Sequence, residues 1–355
     1  MSFKVKILET GDDNWNEHLR KYEYSSAFQT MNWIKNYKNP GSTPIFIQVE
    51  NDNEIVGQLA AIIHKNFLRN ENTLAKKIGS KINISSILTW TYGPIIFDEG
   101  NYSIIIKKIL QCIDQIAKDK NIVMITGSTP PMEEYNPEEI FKEFGYNKKI
   151  WSTYVISLKE NEDELFESFD KKTRYDIRKA YEKNLSFEIP DEQDYPVEFY
   201  KLKNEEYVRA HRHISPISES YEERWKNLYK NEIEKIFLAK KNNKVVSGIS
   251  NIFFNGYVIQ HGVANSSDRD SFGGTFLTWE TIKWAIKNKQ KFYDMGGINP
   301  NPGSKKEKNI DFYKAKWGGR LYNYSIYTKI VNKQKHMVSS VLKNPKNILK
   351  KIEKL

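Results

Sequence analysis

The chain has 355 residues, 39% apolar and 28% charged, with a formal net charge of +10. It has no run near the ~20 apolar residues that span a bilayer, its start (MSFKVKILETGDD) lacks a signal-peptide run, and its one cysteine, Cys112, excludes an internal disulfide or a cysteine-rich metal site. A folded cytoplasmic protein of two domains is therefore expected, with a charge that suits nucleic acid, anionic lipid or phosphorylated ligands without choosing among them.

From Ile45, IFIQVENDNEIVGQLAAII reads as a β-hairpin about the polar turn NDNE. A strand in WTYGPIIF follows, around Gly93. SIIIKKILQCIDQIAKDK has apolar spacing near 3.6 and predicts a helix with Cys112 as a core residue. NIVMITG is a short strand running into Gly127, and FGY at 144–146 forms an aromatic–glycine corner. The second half opens near Trp151 with a helix expected over 163–184. Further helical segments, VEFYKLKNEEYVRAHR and SESYEERWKNLYK, come after it.

From Ile236 the series then recurs: the hairpin IFLAKKNNKVVSGISNIFF, the strand VIQHGVAN around Gly262, the helix GGTFLTWETIKWAIKNKQ, the strand KFYDMGG and the corner WGG at 317–319. Five agreements in one order predict two similar α/β domains, each a mixed sheet flanked by helices. The expected division is 1–150, 151–330 and a basic tail, 331–355. From Lys333 to Leu355 that tail has seven lysines and one glutamate. Its apolar residues suit an amphipathic helix, lying on a membrane or docked on its own domain.

Candidate chemistry concentrates in the second half. Arg174 and Arg178 fall four residues apart on one helix face, with Lys171 a turn earlier, a grouping that suits phosphate or carboxylate. YVRAHRHISP gathers Arg209, His211, Arg212 and His213. Histidines two apart do not share a helix face, so anion contact or a local structural role is expected there rather than metal. His261 is either a general base or a buried structural histidine. The loop SSDRDSFGGTFLTW, with Arg269, Gly273 and Gly274, is either an anion-binding helix start or a tight turn. Asp294 precedes two glycines at a strand end and is a candidate substrate contact. Beyond them Lys314 sits among Phe312, Tyr313 and Trp317, placed to stabilise developing negative charge. A Gly-x-Ser-x-Gly elbow, a Walker loop and a dinucleotide fingerprint are all missing, which disfavours hydrolase and NTP-driven chemistry.

These motifs resemble the FemABX aminoacyltransferases, which build peptidoglycan interpeptide bridges. The likeness runs through AFQTMNWIK, YGPII, KKTRYDIRKAYEKNLSFEI, VRAHRHI, FLTWETIKWAIKNKQKFYDMGG and FYKAKWGG. The resemblance implies tandem GNAT-like domains. It also implies transfer of an amino acid from aminoacyl-tRNA to a peptide amine of a cell-envelope precursor, with no metal or cofactor. It implies that Lys314 stabilises the tetrahedral intermediate or the departing ribose. Lys35, Arg174 and Arg178, with Tyr175 in the same motif, would hold diphosphate or carboxylate. The chain departs from the pattern in three ways. GSTPP (127–131) stands where an acidic residue is common, so a carboxylate near Ser128 is missing or displaced. Gln260 and His261 stand where an aromatic is common, and the long helical arm is absent. Two alternatives remain: acyl transfer from acyl-CoA to an amino sugar or peptide amine, with RDSFGG holding the pyrophosphate, and a non-catalytic module binding tRNA or envelope precursor.

Overall fold

A computed structural model describes residues 2–11, 14–36, 41–65, 85–158, 161–191, 196–209, 224–225 and 228–343. It divides into two compact units, Met1–Ile150 with Tyr324–Leu355, and Trp151–Asn323.

In the first unit β1 (Phe3–Leu8) is followed by the short helices α1 (Trp15–Arg20) and α2 (Met31–Lys35). The hairpin β2 (Ser42–Asn51) and β3 (Glu54–His64) turns at Asp52 and Asn53, both at positive φ (49° and 69°). Two residues at positive φ give the turn a twist that matches its strands, and Asn and Asp tolerate that region best after glycine. β1 pairs antiparallel with β2. Next come β4 (Ile87–Trp90), the short β5 (Ile95–Ile96) against β3, α3 (Tyr102–Asp119), β6 (Met124–Ser128) and α4 (Glu138–Glu143). β3 pairs antiparallel with β4, and β4 parallel with β6. Ile105, Ile109 and Ile113 of α3 bury one apolar stripe in a core with Ile47, Val49, Leu59 and Leu88.

The chain leaves this unit within β7 (Asn147–Ser157). The second unit then has α5 (Glu162–Ser168), α6 (Lys171–Tyr181), β8 (Ser186–Glu188) and α7 (Val197–Arg209). The hairpin β9 (Glu234–Lys241) and β10 (Lys244–Phe254) again turns on two positive-φ residues, Asn242 and Asn243. β11 (Tyr257–Asn265), α8 (Gly273–Lys287), β12 (Phe292–Ile298) and α9 (Lys305–Ala315) follow. β9, β10 and β11 are antiparallel neighbours, β11 runs parallel to β12, and β12 antiparallel to β7. Phe276, Leu277 and Ile282 of α8 pack with Ile249, Val258 and Tyr293, while Phe199 and Leu202 of α7 pack with Ile236 and Leu238.

β13 (Arg320–Ile330) then returns to the first unit, where Ile326–Ile330 pairs antiparallel with Met124–Ser128. α10 (Lys333–Lys343) ends the described chain. The repeat is thus visible strand by strand: antiparallel, antiparallel, parallel, antiparallel in both units. Each unit takes its closing strand from the segment after the other repeat.

Two expectations change. Residues 324–330, grouped with the second domain and separated from the tail in the sequence division, lie with the first unit. The single helix over 163–184 is two helices. Phe169 turns extended (ψ 154°), and the Asp170 carboxylate accepts the Lys172 N–H at 2.7 Å, capping a new start.

Candidate functional site

β11 and β12 share a ladder only from Tyr257–Phe292 to Ile259–Asp294, although β11 runs on to Asn265 and β12 to Ile298. Both strands are irregular where it ends. His261 is the extra residue of a bulge on β11, between Gln260 and Gly262. On β12 the pairing with β7 skips Met295 and Gly296. Backbone groups beyond the ladder are thereby turned away from regular pairing at the centre of the sheet.

Lys314 reaches this point from α9. Its Nζ donates to the carbonyls of Gly296 at 2.8 Å and Gly297 at 3.3 Å. Burial pushes its pKa down to about 8, against the attraction of Asp294. Gly296 is at φ +80°. A Cβ there would lie 2.9 Å from the Gln260 carbonyl oxygen and 3.4 Å from Lys314 Nζ, so both the backbone and the ammonium require glycine. Asp294 has no exposed surface. Its carboxylate accepts from the Thr153 hydroxyl, from Tyr257 Oη at 2.9 Å and from the Gly296 N–H at 2.7 Å. Burial raises its pKa, and those three donors together with Lys314 oppose the rise. Proposed from sequence as a substrate contact, Asp294 instead holds the glycine turn and the lysine, because no solvent-facing atom remains to meet a ligand.

A second grouping lies at the start of α8. Phe272, just ahead of it, is left-handed (φ 54°) and gives no side-chain cap. The Asn265 side chain packs on Gly274, 2.9 Å from where a Cβ would be, and takes a hydrogen bond from Ser247 Oγ at 2.8 Å. Arg209, the last residue of α7, donates to the Asn265 carbonyl. Gly273 sits tight on β10, where its Cβ would meet Val246 at 3.0 Å. Tyr313 joins the groupings from α9, with Oη 3.2 Å from the Gly274 carbonyl and 3.0 Å from Thr278 Oγ1. Arg269 opens the one-turn helix before α8.

His261 is exposed, but close protein and the cations Arg224 and Lys203 hold its pKa down to about 3. A recess and two positive neighbours act in one direction, so the imidazole is neutral near pH 7. On α6, Arg174 is already engaged. Its Nη1 donates to the carbonyls of Glu167 at 2.7 Å and Phe169 at 2.8 Å, closing the end of α5. That use answers otherwise orphaned helix-end carbonyls and commits Nη1 to the fold, so the anion contact expected of Arg174 would fall to its other donors. Arg178 lies 5.4 Å from the Phe166 ring centre, and Tyr175 is 56% exposed. Lys35, exposed at the end of α2, belongs to the first unit. His211, Arg212 and His213 lie outside the described residues.

In the first unit Ser128 stands where an acid was sought. Its Oγ accepts the Tyr92 N–H at 3.0 Å. At Gly127 a Cβ would lie 1.8 Å from the Trp90 indole, so the ring excludes any side chain there. A carboxyl does occur five residues on. Burial pushes Glu133 up to about 8. The Tyr102 hydroxyl pulls the other way, from outside hydrogen-bond geometry. Sequence reading missed Glu133 because nothing local marks TPPMEE as buried.

Among the described residues no group of three His, Cys, Asp or Glu could hold a metal, and no helix is long and apolar enough to cross a membrane.

No protein-family model matches the chain, and no curated protein sequence matches it significantly. Solved structures do match. FemX is 15% identical over 94% of this chain and 99% of its own, with a TM-score of 0.72. A tandem GNAT protein from the clavulanic acid biosynthesis pathway is 10% identical over 92% and 98%, at 0.55. L-PGS from Bacillus licheniformis is 12% identical over 95% and 97%, at 0.53. The chain therefore has the tandem GNAT-like fold that FemX also has.

Proposed function

We propose that this protein is an aminoacyltransferase, moving an amino acid from aminoacyl-tRNA to the amine of a peptidoglycan-precursor or related cell-envelope peptide. The observation that carries the reading is Lys314, an ammonium of pKa about 8 held on the carbonyls of Gly296 and Gly297 where the β11–β12 ladder ends, in a fold of the FemX kind.

The chemistry needs little more. The acceptor nitrogen attacks the ester carbonyl, and a C–N bond forms. The carbonyl oxygen becomes an oxyanion, which the Lys314 ammonium stabilises. The C–O bond to ribose then breaks. The nitrogen loses a proton and the ribose oxygen gains one, which Lys314 can donate. The proton released by the nitrogen passes to water or restores Lys314, whose pKa of about 8 lets it give and regain a proton near neutral pH. An activated ester supplies the driving force, so positioning and charge stabilisation suffice. Lys35, Arg178 and Arg209 are proposed contacts for the phosphates or carboxylates of the two substrates. The basic tail is a proposed peripheral contact with anionic lipid near a membrane-linked acceptor. Its described part, α10, carries the exposed Met337 and Val338.

The test is transfer of labelled amino acid from charged tRNA by purified protein, with and without RNase. RNase-sensitive transfer supports the reading. Acyl-CoA turnover indifferent to RNase would favour a second one, in which the start of α8 holds a pyrophosphate. The observation behind that alternative is the start of α8, where Phe272 gives no side-chain cap and only the Gly273 N–H is taken, by Ser271 Oγ at 3.3 Å, so that the N–H groups after it could meet an anion.

A further inference from the structure

β2 has two unlike faces. Ile47 and Val49 enter the core with α3, so the alternate residues Phe46, Gln48 and Glu50 project from the other side, where Phe46 meets Trp15 of α1 edge-on at 5.0 Å. Beside that contact a recess of about 540 Å³ opens, to which Lys6, His18, Lys21, Gln48, Glu50 and Glu54 contribute.

Gln48 and Glu50 are only 3% and 9% exposed. Glu50 Oε1 accepts from Lys6 Nζ at 2.6 Å and from Gln48 Nε2 at 2.9 Å. The Lys6 ammonium holds the Glu50 carboxyl below the usual carboxylate range, so Glu50 is ionised and can only accept. That fixes the Gln48 amide: its nitrogen must face Glu50, and its oxygen is left over. Among the described residues neither Gln48 Oε1 nor His18 Nδ1 has a hydrogen-bond partner. Gln58, opposite Gln48 on β3, is fully buried with both amide atoms unpartnered, so the two amides do not serve each other. A buried acceptor left unmade is costly, and Gln48 Oε1 needs a donor from outside the chain.

The lining selects that donor. A bare anion would meet Glu50 and Glu54, and a bare cation Lys6 and Lys21. No Phe, Tyr or Trp among the described residues lines the recess to stack on a nucleobase. A small zwitterion answers both signs of charge, and Leu8 and Ile55 give its apolar part a contact.

We propose that this recess binds a free α-amino acid, with its ammonium on Gln48 Oε1 and Glu54 and its carboxylate on Lys21. The site lies wholly in the first unit, whereas Lys314 belongs to the second, and it does not depend on which donor the protein uses.

The test measures binding rather than turnover. Full-length protein is titrated by calorimetry with each standard amino acid, and the best binder is compared with its N-acetyl and methyl ester derivatives, which each lack one charge. A hydrogen bond to a charged group corresponds to about 10- to 150-fold in affinity, so each derivative should bind more weakly by such a factor. Gln48→Met keeps the side-chain length and removes the leftover oxygen. It should weaken binding by the same factor while the melting temperature holds or rises, because a buried unpartnered atom has gone; a purely structural glutamine would instead lower it. Lys21→Glu, at an exposed position, should weaken binding and leave the melt unchanged. No binding of any amino acid overturns the inference and leaves the recess to water. Equal affinity for the two derivatives overturns it as well, as does undiminished binding in both variants. If the amino acid binds here yet nothing is transferred from charged tRNA, the donor reading falls and this site stands.

Discussion

Burial holds the Lys314 ammonium at a pKa of about 8, well below that of a free lysine. An acid must be protonated to act, and so must a cation that stabilises an oxyanion. Turnover should therefore fall as pH climbs above about 8, a limb the pH profile of kcat/KM would show. Lys314→Ala should lower turnover ~100-fold or more and remove that limb. A profile still rising at pH 10 would contradict the role given to Lys314. Gly296→Ala bears on the same turn. At φ +80°, with a Cβ 2.9 Å from the Gln260 oxygen, it costs stability on the order of 1–2 kcal/mol. It also crowds Lys314, so activity should fall further than the melting temperature alone accounts for. Lys314 was legible in the sequence as a lysine among aromatics. Glu133 was not, because nothing in TPPMEE marks the burial that pushes its pKa up to about 8.

The helices and hairpins follow from local signals, and α9 illustrates how much one signal carries. Its first turn is closed by a capping box, in which Ser304 Oγ accepts the Glu307 N–H at 3.2 Å and Glu307 returns to the Ser304 N–H at 3.0 Å. None of its residues is fully buried, so packing does little to hold this end. Ser304→Ala should cost the start of the helix about 1 kcal/mol, seen as roughly fivefold faster amide exchange over its first two turns. No change in exchange would mean the loop before it, not the cap, fixes the start. The hairpins were readable because NDNE and KNNK place Asn or Asp at both left-handed positions. The break at Asp170 was not. Period-3.6 spacing continues through it, and only the carboxylate on the Lys172 N–H separates α5 from α6. The break has a structural consequence, since it leaves carbonyls at the end of α5 for Arg174 to cap and so commits the Nη1 of that arginine to the fold.

At the scale of the whole chain, the duplication was legible and its closure was not. Periodicity reports which residues form strands, but pairing between residues some 200 apart leaves no local trace. The first unit needs β13: Tyr327 stacks on Phe141 at 3.9 Å, and Lys329 meets Asp114 at 2.7 Å. A fragment of residues 1–150 lacks that strand. It would expose the backbone edge of β6, from Met124 to Ser128, together with the buried face of Phe141. Unpaired edges and open apolar surface favour association. The fragment 1–150 should therefore be aggregated or unfolded by circular dichroism, despite spanning the complete first repeat. The same fragment joined through a Gly/Ser linker to residues 324–355 should recover a cooperative melt, because all six strands of the main ladder are then present. Residues 151–323 already hold their closing strand in Trp151–Ser157 and should fold without any addition. A soluble, cooperatively melting 1–150 would show that each repeat is sufficient by itself. The exchange of closing strands would then be a detail of connection rather than a requirement of the fold.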